Sequence, residues 1–187
     1  MISAAVVLSA ELEVSILNRA FNDQSPSSTV FYQQKMAAGF TPQSWQDYAF
    51  QFGANYQHLS SGALALKIVT NMGMGNDIGL QGALVSYLDA VGKENVGIVA
   101  VQLGHLLLGL ENATGDLAVY NAPAAAWAKE IAESYMYSTN SANGVPSPKG
   151  APAGAAAWSS AAEHPQIDDA AMVQLVGVSD DAGALLV

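Results

Sequence analysis

The chain has 187 residues, with 16 Asp and Glu against 6 Lys and Arg, a formal charge of −10, and an apolar content of 51% with only 12% charged. So many apolar side chains can offset the entropy of ordering, which excludes a disordered polyelectrolyte, and six scattered cations cannot neutralise a phosphate track, which excludes nucleic acid as a partner and disfavours an anionic membrane surface. The absence of cysteine excludes disulfides, thiolate metal sites and cysteine nucleophiles.

The opening run Met1-Ile2-Ser3-Ala4-Ala5-Val6-Val7-Leu8 is apolar, but no basic region precedes it and Glu11 and Glu13 follow, so no cleaved export leader is expected. Ser9 is placed to cap a first helix, with Leu12, Ile16 and Ala20 at four-residue spacing. Ser25-Pro26 reads as the start of a second helix that Gly39 stops, and Thr41-Pro42 repeats the start signal. Trp45, Tyr48, Ala49, Phe52 and Tyr56 then form the strongest amphipathic stripe. Leu64, Ile68 and Met72 predict a short helix ending at Gly73; Leu80, Leu84, Leu88 and Val91 predict another. A longer one carries Val96, Val99, Leu103, Leu106, Leu107 and Leu110. Its apolar stretch is broken by Gln102, Gly104 and His105 and is shorter than the roughly 20 residues of a bilayer crossing, so no membrane span is expected. Pro123 is expected to start the last helix, with Trp127, Ile131 and Tyr135 inward. Gly53, Gly62, Gly82, Gly97, Gly104 and Gly109 each weaken helix propensity, and small residues at these places suit close helix approach.

Composition changes after residue 138. Pro146, Pro148 and Pro152, three glycines and an Ala/Ser-rich run read as linker, and no Lys or Arg follows Lys149. Residues 163–187 hold Glu163, Asp168, Asp169, Asp180 and Asp181 together with a β-prone run at residues 172–178. The expected organisation is a mainly α protein: a compact multi-helix domain over residues 1–139, a flexible Ala/Pro/Gly linker over 140–165, and an acidic tail with a short β-strand over 166–187.

Motifs with chemistry are sparse. The glycine-dense stretch from Gly73 to Gly82 fails as a dinucleotide loop because its third glycine falls one place late. It reads first as a helix–helix loop. Its second reading is a single calcium-binding nonapeptide, in which Asp77 would supply a hard oxygen ligand, although stacked copies are normally needed. His58, His105 and His164 are too far apart to form a helical metal pair. Tyr32, Tyr48, Tyr56, Tyr135 and Tyr137 fit core packing better than a ligand pocket, and Met36, Met72 and Met74 read as gap-filling core residues. Glu11 with Glu13, and Glu130 with Glu133, read as solvated helix faces. No nucleophile elbow is present, and no catalytic residue is assigned.

Two segments carry a resemblance. Leu17-Asn18-Arg19-Ala20-Phe21-Asn22-Asp23-Gln24-Ser25-Pro26-Ser27-Ser28, with Phe31-Tyr32 and Gly39-Phe40-Thr41 beyond it, resembles the helical module of S-layer-type and RTX-type bacterial surface proteins. Ala83-Leu84-Val85-Ser86-Tyr87-Leu88 and Ala128-Lys129-Glu130-Ile131-Ala132-Glu133-Ser134-Tyr135 are similar to parts of the same module. The tail, with Leu175-Val176-Gly177-Val178-Ser179, then acids, then Leu185-Leu186-Val187, resembles the uncleaved C-terminal signal of type I secretion substrates.

The resemblance implies a secreted, non-enzymatic structural protein of the cell surface or extracellular matrix, exported by type I machinery and assembling with itself into a lattice or filament. Cell-surface glycan is a further implied partner. Val173, Leu175, Val176, Val178, Leu185, Leu186 and Val187 are the expected assembly and secretion residues, with the strand pairing against residues 4–8 of a neighbouring subunit. No cofactor is required, with calcium at Asp77 as the exception considered. The alternative is a type I-secreted haem carrier using His58 or His105 with a tyrosine.

Overall fold

Residues 9–150 are described by a computed structural model. Short polar side chains start its helices by accepting from backbone N–H groups that have no partner within the first turn. Ser9 opens α1 (Ala10–Asn22), Ser27 opens α2 (Ser28–Ala38) and Ser60 opens α4 (Ser61–Asn71). Thr41 and Ser44 form a reciprocal capping box at α3 (Pro42–Ala54), with Pro42 as its first residue. Asp77 opens α5 (Ile78–Val91). A 3-10 turn at Lys93–Asn95 leads into α6 (Val96–Leu108), and another at Gly115–Tyr120 leads into α7 (Asn121–Thr139). The fold is mainly α, as expected: seven α-helices and no strand are present among the described residues.

Two starts differ from the expected ones. Ser25 does not cap α2; its N–H donates to Ser147 Oγ and its carbonyl accepts from the Ser147 N–H, which leaves the cap to Ser27. Pro123 is the third residue of α7, where its missing N–H falls among groups that have no helical partner in any case.

α1 runs through the middle, touching α2, α3, α4, α6 and α7. Ile16, Leu17, Ala20 and Phe21 are buried against Leu64 and Ile68 of α4, Ala100, Leu103 and Leu107 of α6, and Trp127 of α7, in one apolar core that also takes in Leu80, Leu84 and Leu88 of α5. A smaller cluster of Ala10, Val14, Phe31 and Ala38 joins α1 to α2. Tyr56 lies just beyond α3 and stacks on Phe21 with ring centroids 4.5 Å apart. α3 and α6 meet through glycine: a Cβ on Gly97 would fall 1.8 Å from the Ala49 carbonyl oxygen, and one on Gly53 would fall 2.6 Å from the Gly97 nitrogen. Trp127 fixes α7 to α6 by donating from Nε1 to the Gly104 carbonyl at 2.9 Å.

Residues 140–150, read from composition as the start of a linker, lie along the corner between α1 and α2. Ser28 N–H donates to Asn143 O, Gln24 Nε2 to Ser147 O, and Gly150 N–H to Asp23 O. A segment with little apolar content is thus held by its backbone polar groups, which find partners on the body. No helix among the described residues is long and apolar enough to cross a membrane.

Candidate functional site

The tail residues singled out from the sequence, Val173, Leu175, Val176, Val178, Leu185, Leu186 and Val187, lie outside the described residues, as does His164. Asp77 is described. It is buried, its Oδ1 accepts from the Leu80 N–H at 2.9 Å, and its Oδ2 accepts from the Tyr120 hydroxyl at 3.2 Å. Both oxygens therefore serve the start of α5 and its tie to the turn before α7. The loop from Gly73 is a helix–helix connection, further held by Met74 N–H on Val69 O and by Gln81 Nε2 on Gly75 O. No group of three or more His, Asp or Glu able to hold a metal ion occurs among the described residues. His58 is exposed after α3, and His105 is half-buried on α6 with its pKa lowered by that burial.

Several side chains expected inside are outside. Met72 and Met74 are buried, but Met36 is 54% exposed, and Tyr135, expected inward with Trp127 and Ile131, is exposed as well. Tyr32 is 63% exposed, Phe40 71% and Met136 61%. They lie on or just after two adjoining helices, α2 and α7. Tyr32 and Met36 stand one turn apart on α2, and Phe40 follows past Gly39, whose φ of 70° ends the helix. Tyr135 of α7 sets its ring edge-on to Phe31 of α2 at 6.2 Å. Lys35 pairs with Glu11. Beside that pair, an open groove of about 380 Å³ between α1 and α7 is lined by Leu12, Ala128, Ile131 and Tyr135, among others.

Two acids expected on solvated faces are buried. Glu130 meets Arg19, whose Nε donates to Glu130 Oε1 at 2.6 Å while its Nη2 reaches Asp23 Oδ1 at 2.8 Å and Gly150 O at 3.0 Å. Burial raises the Glu130 carboxyl against the opposing pull of Arg19. Above this pair opens a cleft of about 360 Å³, to which Ser25, Glu133, Ser134, Tyr137, Ser147 and Lys149 contribute. Glu13 is fully buried, and neither carboxyl oxygen has a hydrogen-bond partner among the described residues. Desolvation pushes its pKa up to about 8, and its nearness helps to raise that of Tyr48.

Sequence reasoning missed the buried state of Glu13 and Glu130. The signal for Glu130 was Arg19, the one basic residue of α1, which needs a counter-charge wherever it is buried. No such signal existed for Glu13. The chain matches no family model, no curated protein and no solved structure.

Proposed function

We propose that this chain is a secreted, non-enzymatic structural protein of the bacterial cell surface or extracellular matrix that assembles with copies of itself. The observation that supports this reading is the exposure of five large apolar side chains on two adjoining helices: Tyr32, Met36 and Phe40 on and just after α2, and Tyr135 and Met136 on α7. Side chains of this size left exposed cost free energy in water and gain it in a contact. The occupant proposed is a second copy, because only 12% of the chain is charged and little charge must be desolvated when two such surfaces meet. In the proposal, the base-free tail directs export through type I machinery. Its run at residues 172–178, with Val173, Leu175, Val176 and Val178, adds a strand contact to residues 4–8 of a neighbouring subunit. Envelope glycan is the second class of partner in this reading.

Sedimentation velocity and electron microscopy of the full chain test the assembly. The expected result is a concentration-dependent increase in size that Met36→Glu with Phe40→Ser weakens at least about tenfold, roughly 1.4 kcal/mol per contact, with the melting temperature preserved. Deleting residues 166–187 is expected to abolish ordered assembly and to stop export from a host that carries a type I exporter. A strictly monomeric full chain, or assembly unaltered by both changes, overturns the proposal.

A further inference from the structure

The cleft above the Arg19–Glu130 pair has the features of a binding site. Its polar floor is built from side chains removed from water: Arg19 and Glu130 are 3% and 5% exposed, and Ser25 is buried beside them. Ser134, which also lines it, keeps a fully buried hydroxyl with no hydrogen-bond partner among the described residues. A buried hydroxyl left unpaired costs free energy that a ligand supplying the missing partner would recover.

The lining specifies the ligand. Arg19 and Lys149 balance Glu130 and Glu133, so the cleft has no net charge to attract either an anion or a cation. The Nε and Nη2 groups of Arg19 are already engaged by Glu130, Asp23 and Gly150 O, which denies a ligand carboxylate or phosphate the two-pronged contact that would hold it. What is offered instead is a set of hydroxyls: those of Ser25 and Ser134 can donate and accept, whereas those of Tyr137 and Ser147 donate to Val145 O and Pro148 O and can only accept, with carboxylates able to accept from further hydroxyls and an aromatic ring at Tyr137. At about 360 Å³ the cleft lies near the lower end of the roughly 300–1,000 Å³ of small-molecule sites. We propose that it binds one neutral sugar unit, donating to and accepting from the sugar's hydroxyls. This deepens the glycan part of the functional reading above but stands on a different face from the self-association.

The test is a titration of the ¹⁵N-labelled full chain with N-acetyl-D-glucosamine, methyl α-D-mannopyranoside, methyl β-D-galactopyranoside and L-rhamnose. Glycine and inorganic phosphate serve as charged controls, each added to about 20 mM to reach weak millimolar binding. The expected result is saturable shifts from at least one sugar, confined to amides around Ser25, Ser134 and Ser147. Ser134→Ala, which removes the unpaired hydroxyl, should weaken that sugar about tenfold without lowering the melting temperature, and Glu133→Gln should weaken it several-fold. Shifts from glycine or phosphate alone, no shifts from any sugar, or sugar binding indifferent to both substitutions would each overturn the assignment. Sedimentation of the same variants keeps the two proposals apart: a failed sugar titration with intact self-association removes only the glycan site.

Discussion

Glu13 sits in the first turns of α1, where a carboxylate normally gains from the helix N-terminus, yet it is buried with no hydrogen-bond partner among the described residues. An unfolded glutamate releases its proton near 4.5, whereas in the fold desolvation holds the proton until about 8. Between these values the folded chain binds one more proton than the unfolded chain, so this residue makes stability fall as pH rises, by about 1.4 kcal/mol per pH unit at most. Below the lower value the residue has no effect, and above about 8 the loss is complete. Glu13→Gln removes the ionisation while keeping the shape. Denaturant unfolding of both proteins at about pH 5 and about pH 8 should show the variant gaining on the parent by ~1–3 kcal/mol over that interval; a gap that does not change with pH would remove the unpaired acid as its cause. Glu130 stands in contrast, because Arg19 counters part of the effect of its burial.

Among the elements, the contact between α3 and α6 depends on the absence of side chains more than on their presence. Gly97 leaves no room for a methyl group against the Ala49 carbonyl, while Gly82 on α5 has nothing within 4 Å of where its Cβ would be. Gly97→Ala should therefore separate the two helices and cost about 3 kcal/mol or more, whereas Gly82→Ala should stabilise by about 0.5–1 kcal/mol through better helix propensity. Thermal melts of the two variants check this, and equal effects would mean that α3 and α6 do not meet so closely. The same pair of glycines shows how far the sequence could be read. Caps at Ser9 and Thr41-Pro42, the stop at Gly39, and the apolar rows of α5 and α6 were legible because each is decided within a turn or two of chain. Small residues in α3 and α6 were recognisable as suited to close approach, but not which two of them would touch. Burial of Glu130 depends on Arg19, 111 residues away in the chain, and the cap at Ser27 depends on Ser147 claiming Ser25. Exposure of Met36 and Tyr135 was likewise illegible, because an apolar residue on an amphipathic helix reads as core unless the helix is known to lack a neighbour on that side.

For the molecule as a whole, the strap after α7 ties residues distant in the chain together. Residues 140–150 lie against the helical body through Ser28 N–H on Asn143 O at 3.0 Å, Ser147 N–H on Ser25 O at 2.9 Å and Arg19 Nη2 on Gly150 O at 3.0 Å. The strap thus shares Arg19 with α7, and the proposed sugar site has a wall only while Ser147 and Lys149 stay in place. The functional proposal requires that the chain beyond residue 150 serve export and assembly rather than the stability of this body. A chain of residues 1–150 is therefore expected to melt within a few degrees of the full chain. A chain of residues 1–139 loses the strap's hydrogen bonds and should be about 2–4 kcal/mol less stable, the entropy of ordering the strap having offset part of what those bonds contribute. Calorimetry of the three lengths separates the cases. If the 1–150 chain melts as low as the 1–139 chain, residues after 150 are integral to the helical body, and the reading of the tail as an export and assembly element fails with it.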